Sequence, residues 1–167
     1  MALYNVRGMT VSSVATITRP ADTTAYAAKD AVANSTSAPV VLSFTGIGRY
    51  NGQDGYIVKA RLLTNQAANV AQYRLHLFTA APTAINDNAA YTLLWANRAA
   101  RIGVIDIGPL STEGTGSDAA NGLNADVRLP FTCASTDSKL YGLLETLTAF
   151  TPASGQLFYI ELVVEQN

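Results

Sequence analysis

Gln156–Glu165, QLFYIELVVE, carries the strongest β signal in the chain. Its aromatic and β-branched residues suit a pleated surface, and neither Gly nor Pro interrupts it. Outward from it, a period of two recurs. Val11–Thr18 (VSSVATIT) places Val11, Ser13, Ala15 and Ile17 on one parity. Arg19-Pro20 then stops that strand, because proline has no N–H to give a ladder. Tyr56–Thr64 (YIVKARLLT) sets Tyr56, Val58, Ala60 and Leu62 on one face. Ile57, Lys59, Arg61 and Leu63 form the other face, mixed and half exposed. Val70–Thr79 points Tyr73, Leu75 and Leu77 one way and Arg74, His76 and Phe78 the other. Val40–Gly46 (VVLSFTG) is a compact apolar run and predicts a buried strand. Arg101–Gly108 (RIGVIDIG) is a further strand. Val127–Cys133 contains Pro130, which assigns it to an edge or a bulge. Leu140–Ala149 is ambiguous by periodicity, and Gly142 with its threonines tilts it towards strand.

The connections are read from their turn residues. Ala21–Ser37 is rich in Ala, Thr, Asp, Asn and Ser and predicts a long surface connection, with room for a helical turn around Tyr26. Gly46–Gly55 holds four glycines, and Asn51-Gly52 and Asp54-Gly55 are its hairpin dipeptides. Over Ala89–Ala96 (AAYTLLWA) a short helix capped by Asp87 or Asn88 competes with strand. Ser111–Asn124, with Gly114, Gly116 and Gly122, is expected to be the most mobile loop. The sum is an all-β domain over residues 11–167. It has about eight antiparallel strands, at most one short helix, and the look of a two-sheet β-sandwich of jelly-roll type. Residues 1–10 read as a strand-poor N-terminal arm. An Ig-like sandwich is the alternative, but its Cys–Trp–Cys hallmark is missing.

Composition narrows the function. Charged residues make up 14% of the chain, against roughly 25% in ordinary soluble domains. A surface covered instead by Thr, Ser, Asn, Gln and Ala repels neighbours weakly and suits close packing against other proteins. The net charge is −1, the only lysines are Lys29, Lys59 and Lys139, and the arginines are scattered. That argues against direct nucleic-acid binding, which needs clustered cations to displace counterions from phosphates. No window approaches the roughly 20 apolar residues of a membrane span. Cys133 is the single cysteine, so no intramolecular disulfide forms, and its neighbours Leu129 and Phe131 predict a buried thiol. Met1–Thr10 lacks the apolar core of a signal peptide. The expectation is a protein made and kept in a reducing cytoplasm, or assembled there.

Few residues offer chemistry. His76 is the only histidine. A nucleophilic triad or Cys–His pair must use it, yet neither His76 nor Cys133 stands in a nucleophile motif. One His and one Cys exclude most zinc sites, and no other cofactor is implied. Asn86-Asp87-Asn88 and Asp118 offer oxygens to calcium but lack the spaced acids of a calcium loop, and turn or capping use is the stronger reading. Asp106, Glu145 and Glu161 are carboxylates available for glycosidase-type work, but they follow no motif and suit strand residues that face solvent or make ion pairs. No catalytic residue is assigned. Trp95, Arg98 and Arg101 form the one aromatic–cationic group, a combination enriched at interfaces. A core role for Trp95 competes with that reading. Tyr4 and Arg7 in the arm complete the candidate protein interface. A sugar-binding module groups aromatic residues on loops, and only Tyr50, Tyr91 and Trp95 lie near loops.

Four stretches carry a resemblance: Thr16–Asp30 (TITRPADTTAYAAKD), Phe44–Thr64 (FTGIGRYNGQDGYIVKARLLT), Arg74–Asp87 (RLHLFTAAPTAIND) and Tyr141–Glu161 (YGLLETLTAFTPASGQLFYIE). Through them the chain resembles the decoration, or cement, proteins on the heads of tailed bacteriophages. The resemblance implies a jelly-roll-like fold and a structural role on the virion. It also implies oligomers that are often homotrimers, and binding to the major capsid protein at the junctions between its subunits. It carries over no catalytic residues. A tail, baseplate or fibre component with a carbohydrate- or protein-binding sandwich is the alternative.

Overall fold

A computed structural model of the chain describes residues 9–167. Its strands are β1 (Met9–Thr18), β2 (Ala31–Val32), β3 (Leu42–Phe44), β4 (Asp54–Thr64), β5 (Tyr73–Phe78), β6 (Arg101–Ile107), β7 (Ser111–Thr112), β8 (Ala120–Asn124), β9 (Leu129–Thr132), β10 (Leu140–Thr146) and β11 (Leu157–Gln166). One 3-10 helix, Trp95–Ala100, precedes β6. β11 lies inside the larger sheet, flanked by β1 and β4. Its alternation is regular: Phe158, Ile160, Leu162 and Val164 are buried, while Leu157 and Tyr159 face out.

The larger sheet runs β1-β11-β4-β8-β7, with β9 also on β4, and the smaller runs β2-β10-β5-β6, with β3 also on β10. β8 and β9 lie end to end along β4, and β2 and β3 along β10. The eleven segments therefore fill eight main positions, with β7 an outer addition. These positions pair first with eighth (β1·β11), second with seventh (β2/β3·β10), third with sixth (β4·β8/β9) and fourth with fifth (β5·β6), all antiparallel. Successive pairs alternate between the two sheets. This is a long two-stranded ribbon rolled on itself, a jelly roll. The all-β sandwich read from the sequence is the fold observed.

The core lies between the sheets. Ala15, Ile17, Ile57, Ala60 and Leu62 join the inward side chains of β11 from one side, and Tyr73, Leu75, Leu77, Ile105 and Leu144 come from the other. Tyr73 meets Phe158 edge to face across the gap, with ring centroids 5.6 Å apart. Each large apolar side chain so buried contributes about 1.5–3 kcal/mol. Cys133 is buried in the same core.

Local departures from the sequence reading have physical causes. β4 carries a bulge: Val163 pairs with Lys59 and Val164 with Ile57, leaving Val58 unpaired. One extra residue reverses the parity, so Ile57 points into the core and not outward with Lys59 as expected. Asp54-Gly55 is not a hairpin turn but the start of β4, because the chain crosses there from one sheet to the other. The helical turn is absent at Tyr26, which is buried and bridges to Phe150 as extended chain. The helix near residue 95 begins after Leu94, not after Asp87 or Asn88. Ser111–Asn124 is bounded by β7 and β8 instead of being loop throughout. β1 begins at Met9, so the last two residues assigned to the arm belong to the sheet.

Asp87 has another role. Its carboxylate accepts from Arg19 Nη2 at 2.8 Å, from the Tyr26 hydroxyl, and from the Ala33 N–H at 2.8 Å. Arg19 Nε also bonds the Tyr26 oxygen. The Arg19 and Asp87 side chains are fully shut from solvent. Phe150 stacks on Tyr26 with centroids 4.8 Å apart. Thr16–Asp30, Arg74–Asp87 and Tyr141–Glu161, three of the four stretches quoted from the sequence, thus meet at one buried network.

Candidate protein-docking surface

Thr79–Ala100 leaves β5, crosses the outer face of the smaller sheet, and returns to β6. Asp87 ties it down through the buried network just described. Tyr91 ties it down again: its ring stacks on His76 of β5 with centroids 3.9 Å apart, and its N–H donates to the Lys29 carbonyl. The return is pinned by Thr79 N–H to the Ala100 carbonyl at 2.7 Å. Between these anchors the chain forms an arch. No residue of its 3-10 helix is buried.

The arch displays apolar surface. Trp95 is 78% exposed, and Leu93 and Leu94 are 41% exposed each. The core reading for Trp95 is therefore overturned. Beneath the arch, the outward-facing His76 of β5 is already covered by the Tyr91 ring. The Arg98 guanidinium lies 4.4 Å from the centre of the Trp95 ring and donates to the Trp95 carbonyl at 2.9 Å. This cation–π contact fixes the indole while leaving most of it in water. Arg101, the first residue of β6, lies on the same cleft. The cleft has a volume of about 410 Å³ and is completed by Leu93, Leu94, Ile102 and Gly103. Trp95, Arg98 and Arg101, chosen from sequence as an aromatic–cationic group, are brought together. Tyr4 and Arg7 lie outside the described residues. Leu93, Leu94 and Ile102 escaped notice, although a Leu-Leu-Trp run inside a polar connection is a signal of an exposed apolar patch.

The candidate carboxylates Asp106, Glu161 and Glu145 are each held by a neighbour. Asp106 receives both Arg74 Nε and Nη2, at 2.6 and 2.9 Å, across β5 and β6. That pairing holds the Asp106 carboxyl below its ordinary range. Glu161 pairs with Arg61 at 3.0 Å. Glu145 lies 2.7 Å from His76 Nε2, both nearly buried. Burial holds the His76 imidazole below its ordinary value, outweighing the opposite pull of Glu145. Burial also pushes the Tyr91 hydroxyl up to about 12 and the Cys133 thiol up to about 11. Cys133 is thus a thiol at neutral pH, without the thiolate character of a nucleophile. Among the described residues, no group of three or more His, Cys, Asp or Glu is placed to hold a metal ion. Tyr50 is exposed, whereas the face of Tyr91 is occupied by His76.

No family model matches the chain, and no curated protein matches it. Among solved structures it is similar to the K3 cleaved adhesin domain of Lys-gingipain from Porphyromonas gingivalis W83. The TM-score is 0.31 and the identity 12%, over 82% of this chain and 71% of that one. A likeness this distant carries no argument about function.

Proposed function

We propose that this chain is a non-catalytic structural protein of the virion, a decoration protein that binds the outside of a phage capsid lattice and stabilises the head. The observation that carries the reading is Trp95, a large aromatic side chain held in water at the tip of an anchored arch. Exposed tryptophan beside arginine is the composition of interface hot spots. An arch fixed at both ends loses little further freedom on binding, which favours affinity. The charge-poor surface and the stretches that resemble cement proteins supply the address. Shell stabilisation then follows from contacts made only in the assembled lattice.

The test is sedimentation of purified protein with expanded phage heads and, separately, with tails. Co-sedimentation with heads is expected, and Trp95→Ala is expected to weaken it by about tenfold or more, the effect of a hot spot near 2 kcal/mol. Binding to tails but not heads would move the protein to the tail or baseplate. Clear hits on a glycan array that disappear in Trp95→Ala would favour the carbohydrate-binding alternative, for which the exposed indole is the supporting observation.

A further inference from the structure

We infer that the Trp95 arch recognises an extended segment of a partner protein in which a carboxylate stands next to an aliphatic or aromatic side chain. The inference rests on the docking reading above and specifies its partner. Charge is the argument. Arg19, Arg61 and Arg74 each have a carboxylate within 3.0 Å. Arg98 and Arg101 have none within 4 Å among the described residues, although both are exposed and line one cleft. No acidic residue lines that cleft with them. The carboxylates of the neighbouring sheet face are already engaged, Asp106 by Arg74 and Glu145 by His76. Two cations therefore line one cleft with the apolar Leu93, Leu94, Trp95 and Ile102, and no carboxylate among the described residues pairs with either.

Guanidinium forks match carboxylates in plane and spacing, and the contact gains strength where water is excluded by apolar neighbours. Of the five N–H donors on Arg98, the one hydrogen bond formed within the described residues goes to its own arch, at Trp95 O. A nucleic acid fits less well. The floor between the cations is aliphatic as well as aromatic, and no basic stripe continues beyond it to follow a phosphate backbone.

The chain has a single tryptophan, so its fluorescence reports on this cleft alone. A displayed random dodecapeptide library is panned on the folded protein, and the selected sequences are synthesised and titrated by Trp95 emission. The expected peptides hold Asp or Glu within two positions of Leu, Ile or Phe. Replacing that acid by its amide, or making Arg98→Gln with Arg101→Gln, is expected to weaken binding about tenfold or more. Raising salt from about 50 mM to about 500 mM should weaken the wild-type complex several-fold. Lys59→Gln, on β4 of the larger sheet and outside the cleft lining, should change nothing. Selection of neutral or basic peptides overturns the inference. So does failure to select any peptide, equal binding by the double variant, or tighter binding of single-stranded DNA than of any peptide. If heads bind Arg98→Gln/Arg101→Gln normally but not Trp95→Ala, the docking reading stands and this inference falls. If acidic peptides bind and no virion part does, the inference stands and the capsid address falls.

Discussion

Asp87 gathers hydrogen bonds from Arg19, Tyr26 and Ala33 in a place closed to water. Two desolvated charges are costly apart and tolerable together, because each supplies the other's missing solvation. Asp87→Asn keeps the shape and removes the charge, leaving buried Arg19 with only the partly exposed Asp22 carboxylate, 3.3 Å away. We expect a loss of about 3–5 kcal/mol, read from the urea midpoint, with the arch and the chain around Tyr26 loosened together. His76 gives a second expectation. Burial lowers its folded-state value beneath the ordinary 6.5, so the unfolded chain takes up that proton more readily than the folded one. Stability from this group is full above pH 6.5 and is lost as pH falls below it. Thermal melts between about pH 7 and pH 5 should therefore show a falling midpoint, and His76→Gln should flatten that slope. Asp106 acts lower, because its depressed value concerns only pH near and below the ordinary carboxylate range. Neither network was legible in the sequence. Arg19 and Asp87 are 68 residues apart, and nothing local marks them as partners.

At the scale of elements, the legible strands were those with an unbroken period. β11 and β5 were readable because alternation alone fixed which side chains face the core. β4 was read on the wrong parity over its first half, because a bulge is an event of pairing and leaves no mark in one strand's composition. Gly55 teaches the same lesson. Its place before Tyr56 suggested a turn, yet it is buried within the sheet, where a Cβ would come within 2.3 Å of the Glu165 carbonyl oxygen and 3.1 Å of the Phe131 ring. Backbone on one side and an aromatic ring on the other leave no room for a methyl group. Gly55→Ala is expected to lower stability by about 1–3 kcal/mol or more, checked by denaturant unfolding, with little change in m-value if the fold persists. The helix around residue 95 was foreseen as short and single. Its start was misplaced because Asp87, the apparent cap, is drawn inward by Arg19.

For the molecule as a whole, the jelly roll was within reach of the sequence because eight runs of β character with polar turns admit few other solutions. The candidate docking surface was half legible. Residue types marked Trp95, Arg98 and Arg101. That the tryptophan faces water follows only from how the arch is tied across the sheet. Three of the four stretches quoted from the sequence converge on the buried network of Arg19, Tyr26, Asp87 and Phe150, so their common part in this chain is to lock the fold. The homotrimer is the proposal that belongs to this scale. Light scattering of the purified protein should give three times the 17.6 kDa of one chain, and a monomer at all concentrations up to those of assembly would count against it. β1 is relevant here. It is a sheet-edge strand ten residues long (MTVSSVATIT) with no charge and no proline, the kind of edge that natural proteins otherwise protect.

The double anchoring of the arch has a mechanical consequence. A tug on Trp95 does not travel along one strand. It divides between the Tyr91 ring on His76, which loads β5 in the smaller sheet, and Asp87 on Arg19, which loads the chain where it leaves β1 in the larger one. Force applied at the tip is thus shared by both halves of the sandwich. Under such a load the first part to yield would be the ring stack on His76, not the strands of either sheet.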